Sequence, residues 1–180
     1  RAREMMVYAI EIFDGGQKAL FYVKKFASQV RDSVNIPHLM LTKIAALDVR
    51  YGDKDSGIRS LLELKDSGDK DAREALEDVF KDPWSIDESL LEDAKDFYGS
   101  ISEELQGKDS AKYILNKARC CQRLGEYAEA KDILKQAYSI DDDMFEALDD
   151  LIKICGDENQ LEAAEDYLCT LAQGSDDHRL

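Results

Sequence analysis

Apolar and polar positions along this chain repeat with the period of a helix. Apolar residues recur at intervals of three and four, and runs of β-branched residues are scarce. The pattern predicts ten helices, at about 2–13, 17–34, 37–51, 56–66, 71–82, 87–106, 110–124, 127–140, 143–156 and 159–173. The breaks between them carry turn chemistry: Gly15-Gly16, Asn35-Ile36-Pro37, Gly52, Ser67-Gly68, Asp82-Pro83, Gly107, Gly125 and Gly156. Ser85 and Glu88 have the spacing of a capping box at the start of the long helix 87–106.

Every second helix repeats one motif: a small residue, an apolar or aromatic one four later, and another three beyond. The triplets are Ala19–Val23–Phe26, Gly57–Leu61–Leu64, Ala94–Tyr98–Ile101, Ala130–Leu134–Ala137 and Ala164–Leu168–Leu171. Their small residues are 38, 37, 36 and 34 positions apart. A small residue lets two helices of a hairpin approach closely, and the apolar stripe packs on a neighbour. Read in pairs, the helices form five hairpins, at about 2–34, 37–66, 71–106, 110–140 and 143–173, in one domain over 1–174 with a polar tail at 175–180.

Residues 124–140 read LGEYAEAKDILKQAYSI, and the helix before them places Ile114, Ala118 and Cys121 on one face. This stretch resembles the tetratricopeptide repeat. The small residues of that motif fall on Ala118 and Ala130, its apolar ones on Ile114, Tyr127 and Leu134, and its late alanine on Ala137. Lys117 stands where the family carries leucine, and Asp142 where it carries a closing proline. A shift of 34 gives a second copy through Leu148, Ile152, Cys155, Leu161, Ala164, Leu168 and Leu171, with Leu151 supplying the missing leucine. The likeness is closest over 110–173, and over 1–108 the pattern fits any helical repeat.

The resemblance implies an all-α fold of antiparallel hairpins stacked as a right-handed solenoid. It also implies a scaffold or adaptor whose inner face, lined by first helices, takes a peptide or helix of a partner. Carried over residue by residue, that face holds Lys43 and Arg50 with Leu39, Thr42 and Ala46 in the second repeat. In the fourth it holds Lys112, Asn116, Arg119 and Arg123, and in the fifth Glu146, Asp149, Asp150 and Lys153. Some family members clamp the acidic tails of chaperones with basic residues there. Asp149 and Asp150 would repel such a tail.

Charge sharpens the picture. Acids outnumber bases 39 to 24, a formal charge of −15. The bulk surface therefore repels nucleic acid and anionic membranes. Residues 72–108 carry a net −7 and residues 144–180 a net −8, which favours a basic protein or peptide partner. Trp84, in the turn before the third second-helix, is the best candidate for an exposed anchor.

Catalytic and metal chemistries fare poorly. The two histidines, His38 and His178, sit at a helix start and in a polar tail. Cys120, Cys121, Cys155 and Cys169 form no C-x-x-C pair and read as buried free thiols. The acidic runs 53–57 and 141–143 fail the spacing of a calcium loop and read as turns and helix caps. No catalytic residue, metal ligand or cofactor is expected. No membrane span or signal segment is legible, which favours a cytoplasmic protein. The tail is too polar to cap a repeat array, so the array is expected to continue in a longer protein, and the open end invites self-association. A second reading remains: a regulatory or sensory helical-repeat domain of a larger signalling or transcription protein.

Overall fold

The computed structural model describes residues 16–30, 38–158 and 161–176. The expected helix 2–13, the break Asn35-Ile36-Pro37 and the last four residues of the tail lie outside them. Every regular element among the described residues is helical. The helices are α1 (Gln17–Val30), α2 (His38–Tyr51), α3 (Lys54–Asp66), α4 (Lys70–Val79), α5 (Leu91–Glu104), α6 (Lys108–Leu124), α7 (Tyr127–Ile140), α8 (Phe145–Asp157) and α9 (Leu161–Asp176). Short 3-10 turns at Pro83–Ser85 and Glu88–Leu90 precede α5. The chain divides into two compact units, Arg1–Lys81 and Asp82–Leu180. The division falls inside the stretch 71–106 read as the third hairpin, so α4 belongs to one unit and α5 to the other.

In the first unit α1 packs on α2, α2 on α3, and α3 on α4. The Asp53 side chain caps α3 by accepting from the Ser56 amide at 3.1 Å. Asp69 caps α4 by accepting from the amides of Asp71 and Ala72 at 2.9 and 3.1 Å. Both acids satisfy amides that a helix start leaves without partners. Gly57 sits where α3 crosses α2. A Cβ there would lie 2.7 Å from the Val49 nitrogen and 2.8 Å from the Ala45 oxygen. Backbone contact this close is possible only without a side chain, which is the physical reason for a small residue at that position.

In the second unit each helix packs on the next, with α5–α6 and α6–α7 the most extensive pairs. Ile114, Leu115, Ala118 and Cys121 of α6 meet Ala130, Ile133, Leu134 and Ala137 of α7, and the same core continues into Ala147, Leu151, Ile154 and Cys155 of α8 and Ala164 of α9. The α6–α7 turn closes on Gly125 at φ +80°, where the Glu126 amide donates to the Cys121 carbonyl at 2.9 Å. The α3–α4 turn closes the same way through Gly68 at φ +90°, with the Asp69 amide donating to the Leu64 carbonyl at 3.1 Å. Left-handed backbone of this kind favours glycine.

Several sequence expectations need correction here. The long helix 87–106 starts only at Leu91, and its capping box does not form: Ser85 Oγ donates instead to Asp82 Oδ2 at 2.5 Å. Cys169 is exposed, while the other three thiols are buried and free. The face of α8 is turned by one residue from the 34-residue shift. Leu151 is buried where Ile152 was expected, and Ile152 is 38% exposed.

Candidate functional site

The residues assigned to a binding face divide into two groups. Lys43 and Lys112 project from α2 and α6 into solvent. Arg50 is also exposed and lies 3.5 Å from the Asp78 carboxylate of α4. The remaining three are not free to meet a ligand. Asn116 is buried. Arg119 donates from Nε to Asp150 Oδ2 at 2.7 Å and approaches Glu146 at 3.5 Å. Arg123 Nη1 donates to the carbonyls of Pro83 and Ile86 at 2.8 and 2.5 Å. Of the second-repeat lining, Thr42 is buried and donates to Asp69 Oδ2 at 3.1 Å, whereas Leu39 is exposed.

Asp150 is the centre of the fifth-repeat cluster. Its side chain is 3% exposed, and its second oxygen accepts from Lys153 at 3.0 Å. Two cations on one buried carboxylate offset much of its desolvation cost. The carboxylate that reads as groove lining is therefore a strut between α6 and α8. A sequence signal for this existed: Ala147, Asp150 or Leu151, and Ile154 follow the spacing of a buried helix face.

What remains open on α8 is its outer face. Phe145 is 63% exposed, and Ile152, seven residues on, lies on the same side. Glu146, Asp149 and Lys153 are exposed around them. Apolar contact area bordered by charge is the ordinary make-up of a protein-binding patch.

The turn before α5 presents a second such feature. Trp84 is 47% exposed, while Pro83 and Ile86 beside it are buried. Asp82 Oδ1 accepts from the Trp84 amide at 3.1 Å. The Ser85 hydroxyl and the Trp84 amide together hold the Asp82 carboxyl below the usual carboxylate range.

Two clusters among the described residues bring thiol or carboxylate atoms close enough to share a cation. Each already has a lysine. The Lys108 ammonium lies 2.7 Å from Asp141 and 2.9 Å from Asp143. Those two hydrogen bonds hold Lys108 protonated above the ordinary lysine range. In the other cluster Glu126 accepts from Lys95 at 3.0 Å, and burial pushes the Cys121 thiol up to about 12, far from the thiolate a metal needs.

These ion pairs share a stride. Lys95–Glu126 and Arg119–Asp150 each span 31 residues, Lys108–Asp143 spans 35, and Lys131–Glu158 spans 27. Each ties one helix to another close to a repeat length away.

Compared with protein-family models, with curated proteins and with solved structures, the chain returns no match. No helix among the described residues is long and apolar enough to cross a membrane.

Proposed function

We propose that this chain is a tetratricopeptide-like scaffold, its hairpins stacked in a right-handed solenoid, which takes a peptide or helix of a partner protein. One observation carries the reading. All five small residues of the repeat, Ala19, Gly57, Ala94, Ala130 and Ala164, are buried. A helix places a small residue on a buried crossing once by chance, but five crossings at near-constant spacing are the packing rule of a hairpin repeat. The exposed cations Lys43 and Lys112 and the Phe145–Ile152 face of α8 supply contact surface suited to a peptide or an amphipathic helix.

Two measurements test this. A stacked array of five hairpins is elongated, so small-angle scattering should give a radius of gyration well above the ~16 Å expected for a compact domain of this length. A value at ~16 Å rejects the solenoid. Affinity capture of partners should then fall with Lys43→Glu and Lys112→Glu, or with Glu146→Lys and Asp149→Lys, because these side chains are exposed. Capture indifferent to both pairs rejects the first-helix faces. Charge reversal at Arg119 or Arg123 is a poor test, since both arginines hold the fold.

A further inference from the structure

The Trp84 turn is built more firmly than a connection between helices requires. Its backbone is fixed from inside by Asp82, which accepts from the Trp84 amide at 3.1 Å and from the Ser85 hydroxyl at 2.5 Å. The Ser85 amide also donates to the Asp82 carbonyl at 3.0 Å. From α6, Arg123 fixes the turn with one nitrogen on two carbonyls, those of Pro83 and Ile86, at 2.8 and 2.5 Å. Pro83 and Ile86 point inward, and the indole between them is left 47% exposed. A tryptophan that could have packed beside Ile86 is instead held toward water on a fixed backbone. Holding a large aromatic in one place before binding removes the ordering cost that a partner would otherwise meet.

The surroundings specify the partner. Asp82, Asp87, Glu88 and Glu92 are exposed within the same short stretch, and residues 72–108 carry a net −7. The nearby arginines do not reverse this. Arg123 is engaged with carbonyls and Arg119 with Asp150. The electron-rich face of an indole attracts a cation, most strongly when acidic groups stand beside it.

Resting on the scaffold reading, we infer that the Trp84 turn is the docking point for a Lys/Arg-rich segment of a partner protein. One cationic side chain stacks on the indole, and its neighbours meet Asp87 and Glu88. The turn recognises charge next to an aromatic anchor, and the Arg123 fork keeps that anchor in register.

Trp84 is the sole tryptophan, so its emission reports on the site directly. Titration of the full chain with an octa-arginine peptide should change that emission saturably, and an octa-serine peptide should not. Anisotropy of the labelled peptide then measures affinity without the indole. Trp84→Ala should weaken binding at least about fivefold, as loss of a cation–π contact does. Asp87→Asn with Glu88→Gln should weaken it by a similar factor. Glu162→Gln with Glu165→Gln removes the same charge from α9 and should leave the affinity within about twofold, since distant exposed charges are screened. Circular dichroism and melting confirm that each variant is folded. Affinity unchanged by Trp84→Ala, or an equal loss in the α9 pair, overturns the site and reduces the binding to bulk attraction. If partner capture survives while the Trp84 effects are absent, only this site fails and the scaffold reading stands.

Discussion

Arg119 of α6 and Asp150 of α8 meet at 2.7 Å, with the carboxylate almost wholly out of water. Removing the arginine leaves a buried charge with Lys153 alone. Breaking a buried pair usually costs about 3–5 kcal/mol. Because Lys153 remains, Arg119→Ala should cost about 2–4 kcal/mol in urea unfolding. Exposed Lys112→Ala on the same helix should stay within about 0.5 kcal/mol. Equal effects would mean that the pair contributes nothing beyond its exposed part.

Two helical glycines should respond in opposite directions to alanine. At Gly57 the new methyl meets backbone at 2.7 and 2.8 Å, so α2 and α3 must separate. That overpacking costs about 1–3 kcal/mol and exceeds the propensity gain. At Gly99 the nearest atoms belong to the flexible Lys117 side chain at 3.7 Å. Gly99→Ala should therefore stabilise by about 0.5–1 kcal/mol. Chemical denaturation of both variants reads the difference in sign.

The turned face of α8 makes its own contrast. Leu151→Ala should cost about 2–5 kcal/mol, the range for a buried leucine. Ile152→Ala should cost well under 1 kcal/mol, because its side chain is partly in water. The reverse order in melting experiments would restore the unshifted 34-residue register.

Thiol chemistry separates the cysteines. Burial pushes Cys120 and Cys121 up to about 12, so both stay protonated at pH 8. Cys155 is buried and Cys169 exposed. A maleimide at pH 8 should label Cys169 alone in the native chain and all four thiols in denaturant. Mass spectrometry finding Cys120 or Cys121 modified under native conditions would contradict the packing of α6.

Acid should loosen the Trp84 turn at a defined point. The pKa of Asp82 is depressed first by the Ser85 hydroxyl and then by the Trp84 amide. A depressed folded value means the contribution is fully present above the ordinary carboxylate pKa of about 4. It is lost as pH falls through the lowered value. Trp84 emission should hold steady down to about pH 4 and change below it, and Asp82→Asn should abolish that step.

The helices were legible because their apolar spacing and their breaks agree. The 127–140 helix and the α6–α7 turn at Gly125 follow directly from residues 124–140. The small residues announced the crossings, and Gly57 is the sharpest case. Less legible was anything that depends on a distant polar partner. Lys, Asn and Arg at lining positions look alike in sequence, yet Lys112 projects into solvent, Asn116 is buried and Arg123 reaches back to the turn before α5. That last contact spans 40 residues and ends on backbone carbonyls, which every residue has. No residue type could have marked it. The start of α5 was misjudged for a related reason: Asp82, not Ser85, captures the local amides, and the chain spends one more turn before the helix begins.

The common span of the ion pairs has a consequence for how such a chain changes over generations. Where each tether reaches about one unit along, the gain or loss of a whole unit leaves every remaining tether with a partner at its accustomed reach. Length can then vary by duplication or deletion without fresh invention of charge pairs, whereas an insertion of a few residues inside a unit would strand several of them at once.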